Sequence, residues 1–282
     1  MVGCLFSFSV MAVAGREISG ALSTGELLTW RSLIGAPVMA VALLMTGRAA
    51  SHLRTARYGL HLGRNIFHFT GQYCWFYALT LIPLAQLFAL EFTSPIWVAI
   101  FAALILGERF TRWKALAIAL GFIGVLLVAQ PGTATFGLGQ AVALVAAVFF
   151  AAQMITTKKL TETDSVVTIL FIMTLMQSMI GMLVIGGLPS VPDTTLTTAW
   201  LIALALASLC AHFSLTQAFT HADATIVVPM DFFRLPLIAL VGVLLYSEPL
   251  DLLILAGGGL IFAGNFVNLR MSARQSVAEE NA

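Results

Sequence analysis

The residues of this chain that could do chemistry fall into two polar stripes and one charged cluster. Arg64, His68 and Gln72 recur every fourth residue and are continued by Trp75; Ser208, His212 and Thr216 repeat the same spacing further on. Residues four apart share one helix face, so each stripe can present hydrogen-bonding groups to a small solute. Glu91 and Asp231 each stand inside an otherwise apolar run, and Arg234 follows Asp231 by three residues. Carboxylates in such surroundings can exchange a proton or hold a cationic group, and a guanidinium can hold a carboxylate. That is binding chemistry rather than bond-making chemistry. No set of His, Cys, Asp or Glu has metal-ligand spacing, no nucleophile or metal motif assembles an enzyme site, and no cofactor is implied.

Each feature also has a plainer reading. Ser, Thr, Gln and His commonly hydrogen-bond between helices in membranes. Asp231 and Arg234 can neutralise each other one helical turn apart. Arg64 can reach the inner surface, and Arg31 can pair with Glu91 or reach the outer one. The aromatics Tyr73, Trp75, Tyr77, Trp97 and Phe232 crowd the same segments, where they can pack, anchor, or favour a solute with an apolar part. A phosphate carrier would need several central Lys or Arg residues, and the central segments offer chiefly Arg234. The candidate cavity set is therefore His68, Gln72, Tyr73, Trp75, Tyr77, Glu91, Trp97, Ser208, His212, Gln217, Asp231, Phe232 and Arg234. Pro95, Pro229 and Pro236 are candidate hinges, because proline removes a backbone hydrogen bond and bends a helix.

What positions these residues is a set of membrane-crossing helices. Hydrophobic residues make up 60% of the 282 and charged residues 10%, against about a quarter charged in soluble domains; mean hydropathy is +0.98. Apolar runs long enough to span a bilayer occupy residues 1–18, 26–46, 61–80, 83–106, 113–130, 138–157, 166–187, 198–219, 225–246 and 251–270. They are too long and unbroken for barrel strands. The expected fold is an all-α integral membrane protein with ten transmembrane helices. Cys4, Cys74 and Cys210 all lie in these runs, which argues against a disulfide framework. Ala12-Val13-Ala14 looks like a signal-peptidase site, but the basic n-region is missing, so 1–18 reads as the first helix. A net charge of +1 and the lack of a basic patch exclude nucleic acid as a partner. The lipid bilayer and a small-molecule substrate remain.

Sliding the chain along itself by 140 positions lays Ala78 on Ala218, Thr80 on Thr220, Glu91 on Asp231, Glu108 on Glu248 and Gly124 on Gly264. His68 then falls on Ser208 and Gln72 on His212. Residues 1–132 and 133–282 thus repeat one five-helix design. With the N-terminus cytoplasmic, Arg48, Arg54, Arg57, Arg64, Arg109, Arg112, Lys114, Lys158, Lys159, Arg270 and Arg274 gather on the inner side, and the outer side keeps Arg16. That asymmetry puts both termini inside. An odd number of helices per half turns the second half over, an inverted-topology repeat able to expose a central site to either side in turn. Small residues in spans five and ten (Ala117, Gly121 and Gly124; Gly257 and Gly264) suit close helix packing or subunit contact, and monomer and homodimer both stay open.

The stretch FYALTLIPLAQLFALEFTSPIWVAIFAALILGERFTRWKALAIALGFIGVLLV resembles the repeat of the EamA-type permeases, in the drug/metabolite transporter superfamily. Its most specific part ends in Leu106-Gly107-Glu108-Arg109; the second copy departs there, with Tyr246-Ser247-Glu248-Pro249. The resemblance covers essentially the whole chain. It implies ten helices in two inverted five-helix units around a central cavity, spans five and ten peripheral, in a bacterial inner membrane. It also implies metabolite export, and within the family the chain looks closest to aromatic amino-acid exporters. The expected function is a secondary transporter exporting amino acids, aromatic or otherwise apolar ones favoured, or similar small metabolites by alternating access. The alternative is proton-coupled efflux of drugs or cations, with Glu91 as the exchangeable carboxylate.

Overall fold

The computed structural model describes residues 2–46, 55–106, 112–129, 136–227, 230, 234–248 and 252–280. Regular structure among them is helical throughout. In chain order the helices are α1 (Val2–Ile18), α2 (Thr24–Met45), α3 (Tyr58–Leu79), α4 (Leu84–Glu91), α5 (Ser94–Phe101), α6 (Arg112–Ala129), α7 (Leu138–Leu160), α8 (Val166–Ile185), α9 (Thr195–His221), α10 (Ala224–Val227), α11 (Arg234–Tyr246) and α12 (Leu252–Glu280). A single π-helical turn, Ala102–Leu106, extends α5.

Helices form because a backbone in lipid must satisfy its own hydrogen bonds, and local signals then fix their ends. Ser23 caps α2: its Oγ accepts from Glu26 N while Glu26 Oε2 accepts from Ser23 N, a reciprocal capping box. Ser165 and Thr194 cap α8 and α9 in the simpler way, and α8 ends at Gly186 with φ of +75°, a left-handed value that glycine adopts without strain. Among the described residues, five stretches are long and apolar enough to cross a membrane: α2, α4–α5 taken from Leu84 to Ile105, α7, α8 and α9.

The expected span 83–106 is interrupted. Helix α4 stops at Glu91 and α5 starts at Ser94, with Pro95 in its first turn, where proline's missing N–H costs no helical bond. The Ser94 hydroxyl donates to the Glu91 carbonyl at 2.5 Å and so bridges the break. In the second half α10 ends at Val227 and α11 is described from Arg234; residues 228–229 and 231–233 between them lie outside the described residues. The helix starts at Leu84 and Ala224 are 140 residues apart. Pro236 lies in the first turn of α11. Pro229, Asp231, Phe232 and the Gly107-Glu108-Arg109 stretch lie outside the described residues.

Packing pairs α1 with α9, α3 with α7, α2 with α8 and α6 with α12. Small residues allow the closest approaches. A Cβ on Gly124 of α6 would lie 2.5 Å from the Gly257 carbonyl oxygen of α12, so only glycine fits there. The largest apolar core joins Ile18, Leu28, Phe76, Leu79, Leu84 and Leu87 from α1 to α4. Helices α3 and α9 are inside-out by soluble standards: Leu62, Ile66, Ile202 and Leu206 are exposed while the polar stripes are buried. That is the sense a lipid solvent imposes.

Candidate functional site

The α3 stripe turns His61, Arg64, His68, Gln72 and Trp75 inward, and α9 turns Ser208, His212 and Thr216 toward it. The two stripes meet at their histidines, whose rings stand edge-to-face with centroids 4.5 Å apart. Gln177 of α8 bonds His68 Nδ1 at 2.6 Å. Arg31 of α2 donates from Nη2 to Gln72 Oε1 at 2.7 Å and to Gln177 Oε1 at 2.5 Å. Four helices are thus tied by one buried network. Such satisfaction is needed, because an unpaired polar group away from water costs several kcal/mol (about 2–7).

Beside this network lies a cavity. Its polar wall includes His68, Gln72, Glu91, Gln153, His212 and Arg234; its apolar wall includes Phe8, Met11, Phe150, Met154 and Leu215. Glu91 accepts from Trp75 Nε1 at 2.7 Å and from Arg234 Nη2 at 2.9 Å. The Arg234 guanidinium lies 4.6 Å from the ring centres of both Phe8 and Phe88. Aromatic faces attract a cation by about 0.5–2 kcal/mol each when desolvated, so a charge at 1% exposure is held by both an anion and π-faces. A solute entering this space meets a flat apolar side and a hydrogen-bonding side. The arrangement can bind an amphipathic small molecule and carries no assembled group for breaking its bonds. Among the described residues no cluster of His, Cys, Asp and Glu could hold a metal ion.

Six of the candidate residues line this cavity together: His68, Gln72, Trp75, Glu91, His212 and Arg234. Ser208 lines a smaller cavity next to Arg31. Tyr73 and Tyr77 face away, into an open groove between α1, α2 and α3. Trp97 is not on the cavity wall; it packs with Phe101 in the apolar cluster around Cys4 and Val98 that backs Phe8, Met154 and Leu215 of that wall, and Gln217 is exposed beside His221. Pro95 begins α5 rather than bending a continuous helix. Asp231, Phe232 and Pro229 lie outside the described residues.

Two expectations about arginine are corrected. Arg64 does not reach the surface: it is fully buried, donating to Thr157 Oγ1 and Asn65 Oδ1, both at 3.1 Å. Nor does Arg31 pair with Glu91 or reach solvent; it is 5% exposed and bound to two glutamines. The interior therefore holds three guanidiniums rather than chiefly Arg234. Sequence reading also missed Gln153 and Gln177. Each is a lone amide in a run of apolar and hydroxyl residues, a usable signal that the 140-residue comparison passes over, since Val13 and Pro37 occupy the matching places.

A helical chain that buries such a polar chamber among lipid-facing helices is a multi-pass membrane carrier by architecture. Comparison with known proteins agrees. The sequence model of the EamA-like transporter family matches twice, over residues 1–130 and 137–270. The pseudopaline exporter CntI of Pseudomonas aeruginosa is 32% identical over 91% of this chain and 89% of its own length. A riboflavin transporter of Brucella anthropi is 28% identical over 88% of each chain. An S-adenosylmethionine uptake transporter of Rickettsia prowazekii is 25% identical over 86% of this chain and 82% of its own. A protein of known crystal structure superposes with a TM-score of 0.73 over 97% of this chain and 96% of that one; at 19% identity the likeness concerns the fold alone. The chain belongs to the EamA-like transporter family and is a transporter rather than an enzyme.

Proposed function

We propose that this protein is a secondary transporter of the bacterial inner membrane that exports amino acids, aromatic or otherwise apolar, or similar small metabolites. Ten membrane spans form two inverted five-helix halves, residues 1–132 and 133–282, with both termini cytoplasmic, and alternating access opens the central cavity to each side. One observation carries this reading: the cavity wall is drawn from both family-matched segments. Phe8, His68, Gln72 and Glu91 come from the first, Gln153, His212 and Arg234 from the second. Relative motion of such halves would change access to the wall they share. The helix starts at Leu84 and Ala224, 140 residues apart, and the reciprocal pairing of α1 with α9 and α7 with α3 support the repeat. An aromatic side chain suits Phe8, Met11 and Phe150, and polar ends suit Gln72 and the histidines.

Proton-coupled cation efflux through Glu91 is supported less, because Trp75 and Arg234 already engage both carboxylate oxygens. Counterflow in proteoliposomes against a panel of amino acids, sugars and organic cations tests the reading. Exchange of an apolar amino acid is expected, whereas exchange confined to organic cations under a pH gradient would favour the rival.

A further inference from the structure

A second, smaller pocket lies between α2, α8 and α9, lined among others by Arg31, Thr174, Gln177 and Ser208. We propose that it is an anion subsite in which Arg31 and Ser208 hold the carboxylate of the transported molecule. This names the substrate class of the carrier described above and rests on that reading.

Three observations point the same way. Arg31 spends Nη2 on the neutral amide oxygens of Gln72 and Gln177, while Nη1 is buried with no partner among the described residues. Among the described residues no carboxylate pairs with Arg31 or with Arg64, and the two guanidiniums are close enough for their charges to interact. Two like charges inside a membrane protein, away from counter-charge, are unfavourable until an anion joins them. The hydroxyls set the polarity of the pocket. Ser32 and Thr174 donate to the carbonyls of Leu28 and Phe171 and so have no proton left for a ligand. Ser208 makes no such bond among the described residues, and its hydroxyl can donate into the cavity. Arg31 Nη1 and Ser208 Oγ together offer a donor to each oxygen of one carboxylate. Arg31 bonds both Gln72, which lines the central cavity, and Gln177, which lines this pocket, so the two spaces flank one polar network. An amphipathic acid that displaces part of this network would present its charge to Arg31 while its apolar part faces the aromatic chamber.

The same chemistry would accept an inorganic anion, and the test separates the two. The purified full chain in lipid nanodiscs is heated with sodium benzoate, with benzamide, or with sodium chloride against a sulfate-balanced buffer. Benzoate is expected to raise Tm saturably and benzamide is not; Ser208→Ala raises the half-saturating benzoate concentration about tenfold, and Arg31→Gln abolishes the shift. Ser208→Ala keeps the proposal open to test if Arg31→Gln does not fold. Stabilisation by chloride without benzoate makes the pocket an inorganic-anion site and overturns the substrate assignment. A benzoate effect that persists at full strength in both variants overturns the location. Counterflow distinguishes the two layers of reasoning: a carboxylate-bearing solute carried at the wild-type rate by Arg31→Gln sinks the anion subsite and leaves transport standing. A wild-type protein that exchanges nothing sinks the transport reading itself.

Discussion

Replacing Arg16 by glutamine tests whether one end of the helix assembly is held shut by a contact specific to this state. Arg16 Nη2 donates to the carbonyls of Leu79 at 2.8 Å and Ile82 at 2.7 Å, and Nη1 pairs with Glu248. Glu248 in turn accepts from Leu84 N at 2.9 Å. One guanidinium thus joins α1, the α3–α4 turn and the segment after α11. Hydrogen bonds to charged groups contribute about 1.5–3 kcal/mol each, and part-exposed ion pairs only about 0–1 kcal/mol. With the two side chains 19% and 10% exposed, the low end applies, about 3 kcal/mol for the cluster. At 1.4 kcal/mol per tenfold, that is roughly 150-fold in the balance between states with and without the contact. The probe is Met11→Cys in a background with Cys4, Cys74 and Cys210 replaced by alanine, since Met11 lines the central cavity at 6% exposure. A membrane-impermeant maleimide applied from the Arg16 side of the membrane should label Arg16→Gln faster than the parent, by tens of fold up to roughly 150-fold. Equal labelling rates in both proteins from that side would falsify a state-specific closure. The second half carries the counterpart: Lys158 Nζ donates to the carbonyls of Phe219 and Ala222, both at 2.9 Å, 140 positions beyond those Arg16 engages. Lys158→Gln should accelerate labelling from the opposite side.

Glu91→Gln and Arg234→Gln should each lower unfolding stability, by up to about 3–5 kcal/mol, the cost of removing one partner of a buried ion pair. The double variant should lose clearly less than the sum, and additivity within about 0.5 kcal/mol in a denaturant-unfolding cycle would deny their coupling. Gly124→Ala, whose Cβ meets a backbone oxygen of α12, should cost about 1–3 kcal/mol. Gly259→Ala on the same helix pair, with nothing within 4 Å, should be neutral or slightly stabilising in a thermal melt. In counterflow, Gln72→Ala should depress exchange more than Trp97→Ala, which lies behind the cavity wall rather than on it; the reverse ranking would move the substrate path to α5.

How much of this was legible in the sequence depends on the range of the signal. Stripes at four-residue spacing are local, so the inward faces of α3 and α9 could be read directly, and so could a break near Pro95. What stayed hidden were partners drawn from unrelated elements. Arg31 sits about one turn inside its span, where a long side chain can equally rise to the surface or turn inward. Its fate is decided by Gln72 and Gln177, 41 and 146 positions away, through bonds that no periodicity encodes. Arg64 differs in the same way, since Thr157 of α7 supplies the acceptor that keeps it inside. Aromatic residues were over-counted for a geometric reason: Tyr73 and Tyr77 share a helix with Trp75, but stand on the opposite face.

The interruption near Pro95 also explains why Glu91 needs Arg234. Ending α4 at Glu91 puts a carboxylate at a helix C-terminus, where the last carbonyls already carry partial negative charge. That placement is unfavourable by about 0.3–1 kcal/mol, in addition to the burial of the charge. Trp75 and Arg234 supply the donors that offset both terms. Arg234 belongs to α11 of the other half, so the pair joins the two halves across the cavity. Any motion that separates the halves at this point must separate a desolvated ion pair or carry both partners together. Breaking such a buried pair is costly, so the pair should move as one unit, and the opening of the cavity should occur at its ends, where Arg16 and Lys158 make part-exposed contacts.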